Sequence, residues 1–347
     1  MASASFPLTP DRPRWRALVA IVLASGVLAG CSAQADAEPE ATAAAGSTTY
    51  PLTLDTEFGS TVLDEVPERV VALGDLDDAL ALGVVPVGSF RPAGDATELY
   101  EYEQTALDAA VAGGAATEIE QLFDPYAEPD YEAIAKLDPD VILASGYWDL
   151  ASSYDKLSTI APIVALPADA ESTWESRHRI IAKALDRADQ GEASIVAVHD
   201  AFDEARAANP QFAELTLNYA VVYPTQVTYM SVPDTEASWF FSQLGFQSTP
   251  SSSEFAGEYP ADVVSEEQTP LLDADVVVIG YHSLLEPGQR EAFEDSPLFT
   301  ALPAVHNGAY IALPEGHDSS IPQPGVLSSL DDLAAVLPLL ESTTAAN

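Results

Sequence analysis

The sequence predicts an α/β protein of two lobes joined by one long helix, and three observations carry that prediction. Short β-branched runs, apolar on both faces, recur along the chain, each followed by a helical or loop segment. They form two sets on either side of Pro210, and the roughly 300 residues involved exceed the usual single domain of about 100 to 200. Between the sets, residues 188–208 contain no proline, and Ile195, Val198, Phe202 and Ala205 make an apolar stripe at helical spacing. At about 1.5 Å per residue this stretch spans roughly 30 Å, the width of a small lobe. A rigid helix, in place of a flexible hinge, is expected to join the halves, with only small lobe motions.

The elements follow in order. Arg12, Arg14 and Arg16 precede an uncharged run over residues 17–30. That is the pattern of an export signal, and its apolar stretch of about 14 residues falls short of the roughly 20 a spanning helix needs. Leu28-Ala29-Gly30-Cys31 resembles a bacterial lipobox, which implies that Cys31 becomes the lipid-bearing first residue of the mature chain. Residues 1–30 are therefore expected to be a lipoprotein signal peptide. Residues 31–49, rich in Ala, Thr, Ser, Gly and Glu without apolar periodicity, read as a flexible tether. The amino-terminal lobe is placed at 50–187, with strands near 70–73, 84–89, 141–145 and 163–166 and helices near 77–82 and 131–137. The lobe-spanning helix is placed at 188–209. The carboxy-terminal lobe, 210–347, has strands near 219–223, 228–232, 276–280 and 310–313, and helices near 235–244 and 324–340.

Composition narrows the partners. Lys and Arg number 13 against 55 Asp and Glu, a formal charge of −42. A nucleic-acid binder needs a dense basic patch, so none is expected. The acids belong on a surface that keeps the chain soluble and monomeric by repulsion. A single cysteine excludes an internal disulfide. The five histidines, His178, His199, His282, His306 and His317, form no close ligand pair, so no closed metal site is expected.

Several segments together resemble a known family. They are Pro67-Glu68-Arg69-Val70-Val71-Ala72-Leu73, the run from Ala79 to Gly88, the stretch from Pro129 to Ala144 reading PDYEAIAKLDPDVILA, and Tyr154 to Pro162. The second half adds Trp239 to Phe246 and Leu271 to Val278. In order and spacing these resemble the helical-backbone substrate-binding proteins of bacterial ABC importers for ferric siderophores, haem and cobalamin, over most of the mature chain. The resemblance implies two Rossmann-like lobes joined by one long rigid helix, the class III periplasmic-binding-protein fold.

Ligands of open α/β sheets sit beyond the carboxyl ends of the strands. Residues after Gly88, Ala144, Val222 and Ile279 are therefore expected to face the cleft. Those positions hold Arg91, Tyr147, Trp148, Tyr223, Tyr281 and His282, and Tyr229, Trp239 and His317 join them from the second lobe. Aromatic rings bury large area at low entropic cost and carry polar tips, and a guanidinium offers planar donors to chelate oxygens. His282 reads either as a hydrogen-bonding cleft residue or as a ligand to incompletely chelated iron. Arg177 and Arg179, beside His178, read as a solvated helical face.

The resemblance further implies that each lobe docks on the permease through one exposed glutamate, and the matching positions are Glu132 and Glu267. Two departures stand out: Asp75 occupies the place of an aromatic after the first strand, and no basic residue lies near Trp239. The first removes the aromatic contact the resemblance would imply there, and the second favours a neutral or cationic hydroxamate chelate over an anionic tricatecholate. The implied function is capture of an iron(III)-siderophore complex, with no resident cofactor, for delivery to an ABC permease dimer with its ATPase subunits; haem or cobalamin is the alternative ligand. An exported α/β hydrolase would need a Gly-x-Ser-x-Gly turn, which is absent, and an adhesin would not need aromatic strand ends. The protein is expected to be an extracytoplasmic monomer, attached to the cell membrane only through its lipid. Replacing Cys31 by Ser is expected to abolish membrane retention in cell fractionation and leave ligand affinity unchanged; a variant that still sediments with membranes contradicts the anchor.

Overall fold

A computed structural model describes residues 48–90, 99–115, 118–124, 127–257 and 262–346. Cys31 and the signal and tether segments up to residue 47 lie outside the described residues, as does Arg91. Among the described residues no helix is long and apolar enough to cross a membrane.

The first strands, β1 (Leu52–Thr56) and β2 (Gly59–Leu63), form an antiparallel hairpin. Lobe 1 then builds β3 (Val70–Ala72), β4 (Gly88–Ser89), β5 (Glu120–Gln121), β6 (Val141–Leu143) and β7 (Ile163–Val164) into a parallel sheet of order β5-β4-β3-β6-β7. Its helices are α1 (Leu76–Ala81), α2 (Glu101–Ala112), α3 (Tyr131–Lys136), α4 (Leu150–Leu157) and α5 (Trp174–Ala184). Val70, Val141 and Leu143 enter one core while Val71, Leu73 and Ile142 enter another. Burial on both faces explains why these strands are continuous apolar runs.

The long helix α6 spans Ala188–Ala208. Ile195, Val198, Phe202 and Ala205 are buried against lobe 2, and Gly191 meets α5 so closely that an added Cβ would lie 2.5 Å from Ala182 Cβ. Lobe 2 contains β8 (Leu217–Val222), β9 (Val227–Tyr229), β10 (Val263–Val264), β11 (Val276–Tyr281) and β12 (Tyr310–Ala312), in the order β10-β9-β8-β11-β12. Strands β8, β11 and β12 are parallel, whereas β9 runs antiparallel to β8. Its helices are α7 (Glu236–Gln243), α8 (Gln289–Glu294), α9 (Pro297–Thr300), α10 (Pro303–His306), α11 (His317–Ser320) and α12 (Val326–Ser342).

The last helix belongs to both lobes. Val326, Leu333, Val336 and Leu340 fill the lobe 2 core, while its amino end is held from lobe 1. Asp77 on α1 accepts hydrogen bonds from Leu327 N at 2.9 Å and Ser328 N at 2.8 Å, capping α12 from another helix. Gly325 is required there, because a Cβ would lie 2.7 Å from the Asp77 carboxylate.

Arg177 departs from the solvated role expected of it. Only 11 % of its side chain is exposed, and it donates from Nη1 to Glu236 Oε1 on α7 at 2.7 Å and from Nη2 to Pro324 O at 3.1 Å. Arg179, by contrast, pairs with Glu192 in solvent. Breaking a buried pair leaves an uncompensated charge. Arg177→Ala is expected to lower unfolding stability by about 3 kcal/mol, and Arg179→Ala by no more than about 0.5 kcal/mol. Urea denaturation of both variants checks this ordering.

Candidate functional site

The site lies where the strand ends of the two lobes meet. After β3, Gly74 adopts φ +88 and packs backbone to backbone on Gly146, which follows β6. A Cβ on Gly74 would stand 2.6 Å from Gly146 C, and one on Gly146 would stand 2.7 Å from Gly74 O. Asp75 locks the junction: its Oδ2 accepts from Ser145 N and its Oδ1 from Gly146 N, both at 2.7 Å. The residue in the place of an aromatic is therefore a fully buried brace, and burial raises its pKa.

Beyond this junction lies a cavity of about 230 Å³ bordered by both lobes. Lobe 1 contributes Ser89, Phe90, Tyr100, Tyr102, Glu103 and Trp148; the second half contributes His282, Ser319, Gln323 and Ser328. Asp77, the α12 cap, also borders it. His282 follows β11, its ring 4.8 Å from that of Tyr223. Its Nδ1 accepts from Leu284 N at 3.2 Å, so the neutral ring carries its proton on Nε2. Burial lowers the His282 pKa, which keeps the ring a neutral hydrogen-bonding group.

The expected residues separate into cleft and scaffold. Trp148, 67 % exposed, and His282 border the cleft. Tyr223 buttresses His282. Tyr147 lies in the lobe 1 core behind Phe90, with ring centroids 5.2 Å apart. Tyr229 does not reach the cleft: its hydroxyl donates to Asn218 Oδ1 at 2.6 Å and its ring stacks on Phe255. Strand β9 is antiparallel, so its end points away from the side where the parallel strands finish. Trp239 packs on Trp174 and Phe202 at the α5–α6–α7 seam. It borders a separate cavity of about 830 Å³ also lined by Leu217, the first residue of β8, at the amino end of that strand, opposite the end where the cleft lies. Tyr281 is half-buried against the lobe 2 core, bonded to Tyr310 Oη at 2.8 Å beneath the Arg290 guanidinium. His317 holds Asp332 at 2.6 Å, and Ser320 donates to the same carboxylate oxygen; that bond to Asp332 raises the His317 pKa against burial.

Glu132, in the first turn of α3, and Glu267, in the 3-10 turn Glu266–Leu272, are exposed. Sequence reading missed Tyr100 at the amino-terminal cap of α2, Tyr102 and Glu103 on α2, and Asp77 and Ser328 at the α1–α12 contact.

His178 makes a Ser-His-Asp order with Asp78 at 2.7 Å and Ser194 at 3.1 Å. The serine hydroxyl also donates to Gln190 O at 2.7 Å within its own helix, and the imidazole is fully buried. This is a bridge between α1, α5 and α6. Among the described residues no group of three or more His, Cys, Asp or Glu is placed to hold a metal ion.

Two α/β lobes, one long connecting helix and a cleft at the strand ends define a class III solute-binding protein. The chain belongs to the periplasmic binding protein family, whose model matches residues 76–316. It is 27 % identical over 261 residues to the Fe(3+)-citrate-binding protein YfmC of Bacillus subtilis, covering 73 % of this chain and 75 % of that one. The structure of Streptococcus pneumoniae PiaA in complex with ferrichrome superposes with a TM-score of 0.67 at 26 % identity, covering 85 % of this chain and 98 % of PiaA. Staphylococcus aureus SirA complexed with staphyloferrin B shares the fold, with a TM-score of 0.69 at 23 % identity over 84 % of this chain and 98 % of SirA.

The division into scaffold and cleft has a direct test. Tyr229→Phe is expected to cost about 1 kcal/mol of stability through its lost buried hydrogen bond, while Trp148→Ala changes stability by less than about 0.5 kcal/mol and weakens ligand binding. Denaturation curves and ligand titrations of the two variants check this reciprocal pattern.

Proposed function

We propose that this chain captures a ferric siderophore of the hydroxamate type, neutral or cationic, and delivers it to an ABC permease dimer with its ATPase subunits. The observation that carries the reading is the cleft itself, walled by aromatic rings and hydroxyls from two lobes that are braced against each other. Such a surface takes up a bulky, partly polar chelate by burying its apolar area, with a few polar groups fixing its orientation. Family membership and the likeness to PiaA, crystallised with ferrichrome, support the ligand class.

No covalent step is needed, and iron enters as cargo within its chelator. Trp148 and Phe90 supply ring surface, His282 donates from Nε2, and Tyr223 supports His282 from behind. Arg91 follows Phe90 in sequence and is proposed as a further donor to chelate oxygens. Glu132 and Glu267 are proposed to contact the permease, one from each lobe. Cys31 and the tether hold the monomer near that permease, raising its local concentration there.

Tryptophan-fluorescence titration with ferric hydroxamates, ferric catecholates, haem and cobalamin tests the reading. Quenching by ferric hydroxamates at micromolar concentration is expected, with weaker responses to the other three. Failure of every ferric hydroxamate to quench contradicts the proposal, and saturation by haem or cobalamin instead would reassign the ligand.

A further inference from the structure

We propose that Glu103 receives a positively charged group of the bound chelate, so that the cleft prefers a siderophore bearing a free ammonium over an uncharged one of the same shape. This inference rests on the ferric-hydroxamate reading above and assigns the residue that sets charge preference within it.

Glu103 is only 8 % exposed, yet it borders the cleft. Its Oε2 accepts from Tyr100 N at 3.1 Å, and Oε1 accepts no hydrogen bond from the described residues. Asp77 borders the same cleft, with both oxygens engaged by the α12 amides. Beside it Ser328, 2 % exposed, borders the cleft with its hydroxyl turned to the Asp77 carboxylate. One carboxyl oxygen at this cleft is thus left without a donor among the described residues. Among the described residues bordering the cleft there is no Lys or Arg, and His282 is held neutral.

The carboxyl is costly to ionise in this place. Burial pushes Glu103 up to about 8, the Tyr100 amide opposes that rise, and the charge of Asp77 adds to it. The titratable groups acting on it or on the adjoining Tyr102 are Asp77 on α1, Tyr100 and Tyr102 beside it in sequence, and Asp332 on α12; the nearby His317 is engaged by Asp332. No free cation among them compensates the carboxylate. Near pH 7 the carboxyl therefore holds its proton without ligand. An arriving ammonium keeps its own protons, the carboxyl proton leaves to solvent, and a buried ion pair replaces a protonated acid. A neutral hydroxyl or amide in the same place cannot drive that ionisation.

The probes are the ferric complex of desferrioxamine B, a linear trihydroxamate with one free amine, and its N-acetyl derivative, titrated calorimetrically into the full-length protein. The amine form is expected to bind at least about tenfold more tightly at pH 8. Its advantage should grow by up to about tenfold per pH unit between pH 6 and 8, because one bound proton is released. Titration in buffers of different ionisation enthalpy should count close to one proton released for the amine form and none for the acetyl form. Glu103→Gln should bring the two chelates to within about twofold and spare the acetyl form. The wild-type comparison and its proton count stand even if that variant fails to fold.

Equal wild-type affinities, or no proton release, overturn this inference and leave the hydroxamate reading intact. Binding of cyclic ferric hydroxamates with rejection of both probes does the same. If no ferric hydroxamate of any kind binds, both readings fall.

Discussion

A carboxylate on the first helix of the chain holds the amino end of its last. Asp77 accepts from Leu327 N and Ser328 N, and hydrogen bonds to a charged group contribute about 1.5 to 3 kcal/mol each. Much of the architecture depends on that contact. It positions α12, whose apolar face completes the lobe 2 core, and it seats Ser328 beside the cleft. It also requires glycine at position 325. Together with α6 and the Arg177–Glu236 bridge, it makes three separate ties between the lobes.

These ties assign the few cations to structure. Arg177 is consumed between the lobes, and Arg69 donates to the carbonyls of Leu137 and Asp138 beside the β3–β6 pair. In a chain of formal charge −42, the described part of the cleft is left to carboxyls, hydroxyls, rings and a neutral imidazole. Burial makes those carboxyls expensive when unpaired. The ligand's own charge can then repay what the protein leaves uncompensated, so cleft electrostatics and ligand chemistry are linked through scaffold choices made elsewhere.

Strands were legible in the sequence where both faces are buried, because a run such as Val276–Tyr281 is apolar without interruption. The long helix was legible because its stripe at Ile195, Val198, Phe202 and Ala205 keeps helical spacing throughout. The hairpin β1–β2 carries a period-two pattern of its own, with Leu52, Leu54 and Thr56 buried in alternation, which a search for continuous apolar runs passes over. Helix α2 was missed because alanine and acid dominate it and only Leu107 and Glu103 are buried. Tyr229 was misplaced because local sequence does not distinguish a parallel strand from the antiparallel β9. Asp75, Arg177 and Asp77 act on partners about 60 to 250 positions away, and no local pattern encodes such pairings. Trp148 and His282, by contrast, follow directly from the rule that ligands meet the carboxyl ends of parallel strands.

The lobes are tied firmly enough for the cleft to exist before ligand arrives. Pulsed dipolar spectroscopy between spin labels at Asp155 on α4 and Glu291 on α8, both exposed, in a Cys31→Ser background measures this directly. A saturating ferric hydroxamate is expected to shift the interlobe distance by less than about 2 Å. A ligand-dependent shift of many ångströms, with a broad distribution in its absence, would show a hinge-closing protein and contradict it.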